Sequence, residues 1–102
     1  MSKNKLTQLQ RAADLTSTML QMAEARQWSG LSAYQVERTE LLQQSFPLEP
    51  GQQTENSRIL IENMIQQNQQ LEQLCRDAQQ SLQTELRGLN KNRKAVAAYQ
   101  SN

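Results

Sequence analysis

Few residues in this chain are equipped for chemistry. Across 102 residues there is no histidine and one cysteine. That removes the side chain best suited to proton transfer near neutral pH and a common zinc ligand. Cys75 falls on an apolar stripe between Leu71 and Ala78, with Arg76 as its one basic neighbour. A thiol in that setting is expected to pack as a small hydrophobe rather than react as a thiolate. Glu37 and Glu40 can share a helix face, but two carboxylates without a histidine or a glycine-turned loop describe surface charge better than a metal site. No nucleophile has a base beside it. The expectation is a protein that is not an enzyme and carries no cofactor and no metal.

Net charge is +1, and Arg87, Lys91, Arg93 and Lys94 gather near the C-terminal end with no acid among them. Cations there complement the negative end of a helix dipole, and four are too few for a nucleic-acid footprint, so no nucleic-acid partner is expected. A single thiol forms no internal disulfide, and the N-terminus shows no apolar run of signal-peptide length. The longest apolar stretch, Ile59-Leu60-Ile61, falls far short of the roughly 20 residues that span a bilayer. A cytoplasmic protein without membrane insertion is expected.

The elements that must position these residues are helices. Eighteen glutamines join many Leu, Ala, Glu, Lys and Arg, whereas glycine numbers three and proline two. Such side chains lose little freedom in a helix, and turn formers are too scarce for the hairpins of an all-β fold. Phe46-Pro47-Leu48-Glu49-Pro50-Gly51 is the one clear break, because proline removes donors and fixes φ.

Upstream, Leu6, Leu9, Ala13, Leu15, Met19, Leu20, Met22 and Ala23 mark an amphipathic helix over 5–27. Trp28-Ser29-Gly30 interrupts it, and a second helix is expected over 32–46, capped by Ser32 with Gln35 and stapled by Leu31 on Val36. Downstream, Thr54 caps a third helix over 54–98, with Glu55 in its first turn. Its apolar positions, Ile61, Met64, Leu71, Cys75, Ala78, Leu82, Leu86, Leu89 and Val96, with Asn68 and Arg93 filling the gaps, repeat at about 3.5 residues, the coiled-coil period. The Gln66-Gln67 and Gln69-Gln70 pairs fit its solvated face.

The expected fold is therefore all-α: an elongated antiparallel three-helix bundle, one domain over 1–102, with one long C-terminal helix and a Pro/Gly loop over 46–53. Helices of about 23, 15 and 45 residues would measure about 34, 22 and 67 Å. Two short helices folded back leave part of the long one uncovered, whereas the same two laid end to end would cover it. Trp28-Ser29-Gly30 decides between these, and Gly88 could break the last turns away. Trp28, Leu41, Leu42, Met64, Leu71, Leu74 and Cys75 are the expected structural core, with Trp28 plugging the wedge at the helix junction. Leu82, Leu86 and Leu89 are expected to line an uncovered groove for a partner chain or a second copy.

A further pattern joins these residues. The first helix closes in Ala23-Glu24-Ala25-Arg26-Gln27-Trp28; Leu31, Glu37-Arg38 and Leu41-Leu42 follow, then the Pro/Gly loop and a Leu-rich helix ending in Ala98-Tyr99. Over nearly its whole length the chain resembles the flagellar export chaperone FliT family. The resemblance implies a small cytoplasmic helical chaperone that binds the C-terminal region of the filament cap protein FliD, prevents its early assembly and brings it to the export gate. It also implies that Tyr99 docks onto the export-gate protein FlhA. Enteric members bind the regulator FlhDC and carry a longer segment after the Ala-Tyr pair, whereas this sequence has three residues after Tyr99, so an anti-activator role is the weaker expectation. Heptad spacing equally suits a coiled-coil protein that zips to itself as a homodimer.

Overall fold

The computed structural model describes the backbone of residues 4–100 and the side chains of residues 4–91 and of Arg93. The chain is all-α: α1 (Lys5–Glu24), α2 (Leu31–Ser45), a single 3-10 turn (Pro50–Gln52) and the long α3 (Glu55–Gln100). No strand occurs among the described residues. Contacts divide it into two units, Met1–Glu72 and Gln73–Asn102.

In Met1–Glu72, α1 and α2 fold back on one another and pack with the first turns of α3. The buried positions of α1 are Gln8, Leu9, Ala12, Ala13, Thr16, Met19, Leu20 and Ala23, the three- and four-residue spacing of one helix face. Leu9, Ala12 and Ala13 meet Leu48 from the loop and Met64 from α3, and Leu41, Leu42, Leu60 and Ile61 pack around them. Small residues make up much of this core, and its buried hydroxyls turn back to their own helices. Thr16 Oγ1 donates to Ala12 O at 2.9 Å, and Ser45 Oγ donates to Leu41 O at 2.6 Å. Each of these two hydroxyl donors therefore has a backbone partner. Lys5 Nζ ties the start of α1 to the loop, donating to Pro47 O at 2.7 Å and pairing with Glu49 at 3.0 Å.

Helix ends follow backbone chemistry. Asn4 Oδ1 accepts from the Leu6 amide at 2.9 Å and caps α1. The same helix stops at Glu24, three residues before the expected Gln27, because Arg26 takes φ 58°. Its amide then donates to Ala23 O at 3.1 Å and that of Gln27 to Met22 O at 2.8 Å, which satisfies the last carbonyls as a Schellman motif does. α2 starts one residue before the expected Ser32. Its cap is Gly30 at φ 87°, with no side-chain cap, a conformation a residue with a Cβ rarely adopts. Val36 is exposed, so the expected staple is absent. For α3 the Thr54 cap is in place: Thr54 Oγ1 accepts from the Ser57 amide at 3.2 Å, and Ser57 Oγ accepts from the Thr54 amide at 2.9 Å. Hydrogen bonds to Glu55, and then the charge of Glu62, hold the exposed Arg58 guanidinium above its ordinary pKa.

Trp28 is not the expected plug. The residue is 38% exposed. Met19, Leu20 and Ala23 already bury the last turns of α1, and the two left-handed residues close the connection with backbone bonds, which leaves the indole outside. The described residues of the second unit, 73–100, are helix alone, and α3 runs unbroken through Gly88.

Candidate functional site

Two apolar surfaces are candidates, one in each unit. In Gln73–Asn102, Leu82, Leu86 and Leu89 are 55, 54 and 56% exposed. Spacings of four and three residues place them on one helix face, and every residue from Gln79 to Lys91 is exposed. A lone helix offers a ridge, not the expected groove, so a partner must supply the walls. The exposed remainder of these turns is polar and mixed, Gln79, Gln80, Ser81, Gln83, Thr84 and Arg87 among it, with Glu85 on the flank of the stripe.

Farther up the same helix, Leu71 is buried and Leu74 and Ala78 are half-buried. Cys75 is exposed, a correction to its expected place in the core. At about 100° per residue the face through Leu71, Leu74 and Ala78 leaves position 75 about 60° to one side. Its thiol is therefore on the surface. Met64 is buried with Leu71, and Leu41 and Leu42 are half-buried on α2. The side chain of Tyr99, the expected docking residue, lies outside the described residues, as do those of Lys94 and Val96.

The second surface was not anticipated from sequence. In Met1–Glu72 a cleft of about 490 Å³ opens between α2 and the early turns of α3. Leu42, Phe46, Met64 and Ile65 give it an apolar lining, and Arg38 is its one charged residue. Phe46 and Ile65 are 42 and 53% exposed, so the cleft is open to solvent. Burial pushes the Arg38 guanidinium below its ordinary pKa, and the Glu72 carboxylate works in the other direction. Arg38 Nη1 donates to Thr16 Oγ1 at 3.3 Å. The signal available in the sequence was the four-residue spacing of Tyr34, Arg38, Leu42 and Phe46, which puts the cation in line with three apolar residues.

The carboxylates of α2 have ordinary surface roles. Glu37 pairs with Arg11 at 2.6 Å, both partly exposed, an arrangement that contributes about 1 kcal/mol at most. Among the described residues no group of three or more His, Cys, Asp or Glu could hold a metal ion. No described helix is long and apolar enough to cross a membrane.

Compared with known proteins, residues 6–101 match the family model described as Flagellar protein FliT. The chain belongs to the FliT family. Searches of curated proteins and of solved structures give no match. FliT is a chaperone family of the flagellum rather than a family of enzymes, and its partners are in general those of flagellar export. A FliT chain works by holding other chains, which makes exposed apolar surface the relevant kind of site.

Proposed function

We propose that this FliT chain is a type III export chaperone for the C-terminal region of the filament cap protein FliD. It holds that region as an amphipathic helix against Leu82, Leu86 and Leu89, keeps the cap protein from assembling early and delivers it to the export gate. The observation that supports this most is the stripe itself, three leucines each more than half exposed in a chain of this family. Solvent exposure of large aliphatic side chains in a row costs solubility and marks an interaction surface.

The test is calorimetric titration of a FliD C-terminal fragment into the parent and into a Leu82→Ser, Leu86→Ser variant. Both residues are exposed, so the variant should melt like the parent while its affinity falls by about tenfold or more, the equivalent of about 1.4 kcal/mol. Unchanged affinity would move the client site away from the stripe, toward Trp28. Docking at the gate is assigned to Tyr99. In Tyr99→Ala, retention on the cytoplasmic domain of FlhA should weaken with client affinity intact, and equal retention would remove Tyr99 from that role.

A further inference from the structure

We propose that the leucine stripe of α3 selects its client by charge as well as by apolar surface, through Glu85 and Arg93. The client is a helix whose own apolar row is bordered by a cation and an anion about 12 Å apart, the cation set against Glu85 and the anion against Arg93.

This rests on the client reading above and adds what the client must carry. Leu82, Leu86, Leu89 and Arg93 follow one another at four, three and four residues, so the guanidinium continues the line of leucines. Glu85 lies about 40 to 60° to one side of Leu89 and Leu82 at about 100° per residue. The other charges between Gln79 and Arg93 are Arg87 and Lys91, about 140° and 180° around the helix from Leu82. A helix laid on the stripe therefore meets one carboxylate and one guanidinium.

Neither charge is answered within α3. The positions three and four residues from Glu85 are Ser81, Leu82, Gly88 and Leu89, and those from Arg93 are Leu89, Asn90, Val96 and Ala97. No acid follows Glu85 in the sequence. The i,i+3 and i,i+4 pairing that Arg58 makes with Glu55 and Glu62 is thus missing at both residues. Both are exposed, and both border the row from which a docked helix would exclude water. Opposite charges there favour a partner and like charges reject one, so the two residues act on partner choice and direction. A client whose anion precedes its cation lies antiparallel to α3, and one with the reverse order lies parallel.

Three synthetic helical peptides with the same leucine row test this on the whole chain. One carries a glutamate at one end of the row and a lysine at the other, one glutamate at both ends, and one lysine at both. By fluorescence anisotropy at low salt the parent should bind the mixed peptide about fivefold more tightly than either of the others, since each of those sets one like-charge pair on the stripe. Glu85→Arg should prefer the doubly acidic peptide, and Arg93→Glu the doubly basic one. In about 1 M salt each preference should shrink below about twofold. Circular dichroism checks that the variants fold. A parent that binds the three alike, or a Glu85→Arg variant that keeps the parent's order, would overturn the charge selection and leave the leucines as the client surface. A parent that prefers the doubly acidic peptide would also overturn it, and would move docking toward Arg87 and Lys91. The client reading fails separately: if Leu82→Ser, Leu86→Ser bound all three peptides as tightly as the parent, the stripe would not be the docking face and both readings would fall.

Discussion

Truncating one leucine in each unit to alanine separates what holds the fold from what the surface offers. Leu9 is fully buried among Ala12, Ala13, Leu48 and Met64, whereas Leu86 is 54% exposed on the lone helix. At Leu9 three carbons are lost at about 0.8 kcal/mol each, roughly 2.4 kcal/mol, and the cavity left behind raises the cost to about 3 to 4 kcal/mol. A unit the size of Met1–Glu72 has about 4 to 11 kcal/mol of stability in all. Leu9→Ala therefore removes about a quarter of it or more. At Leu86 about half the burial is already missing and alanine is the better helix former, so the loss stays below about 1 kcal/mol. Urea unfolding followed by circular dichroism, in protein dilute enough to keep chains apart, measures both. The midpoint for Leu9→Ala should fall by about 2 to 3 M, with a slope near the low end for small proteins. Equal shifts for the two variants, or a loss below about 1 kcal/mol at Leu9, would refute the division between core and stripe.

Two further outcomes follow from single contacts. Thr54→Ala removes the reciprocal cap at the start of α3 and should cost about 1 kcal/mol by the same unfolding assay, with Thr54→Ser recovering most of it; an unchanged midpoint would show that the cap contributes nothing. Cys75 is exposed, so in the native protein it should react with a thiol reagent within about tenfold of its rate in urea, and strong protection would return it to a buried position.

How much of this was legible depended on whether a feature is local. The core face of α1 could be read from Leu9, Ala13, Met19, Leu20 and Ala23, because their spacing is itself the helix period. Thr16 and Gln8 on the same face were not legible, since a polar side chain is counted as surface until its partner is known. Thr54 announced its cap by residue type, but Ser32 did so falsely, because the left-handed turn at Gly30 took the capping position first. Arg26 at positive φ has no sequence signature, for nothing but glycine or asparagine usually advertises that conformation. Cys75 was misplaced by averaging: a mean spacing of about 3.5 is compatible with a residue one step off the buried face. The leucine stripe was visible as periodicity, but its reading as a groove assumed a wall that a lone helix lacks. The cleft beside Arg38 depends on how α2 and α3 approach, and that is a property of packing rather than of either helix.

The stripe and the core draw on separate residues, and this bears on how such a chain can change over generations. A substitution at Ala12 or Leu9 is felt at once as lost stability, and selection removes it. A substitution at Leu82, Leu86 or Leu89 leaves the first unit nearly as stable as before, so under the proposed client role it is tested by partner choice. On that proposal a lineage can retune which helix it holds, one leucine at a time, without passing through an ancestor that fails to fold.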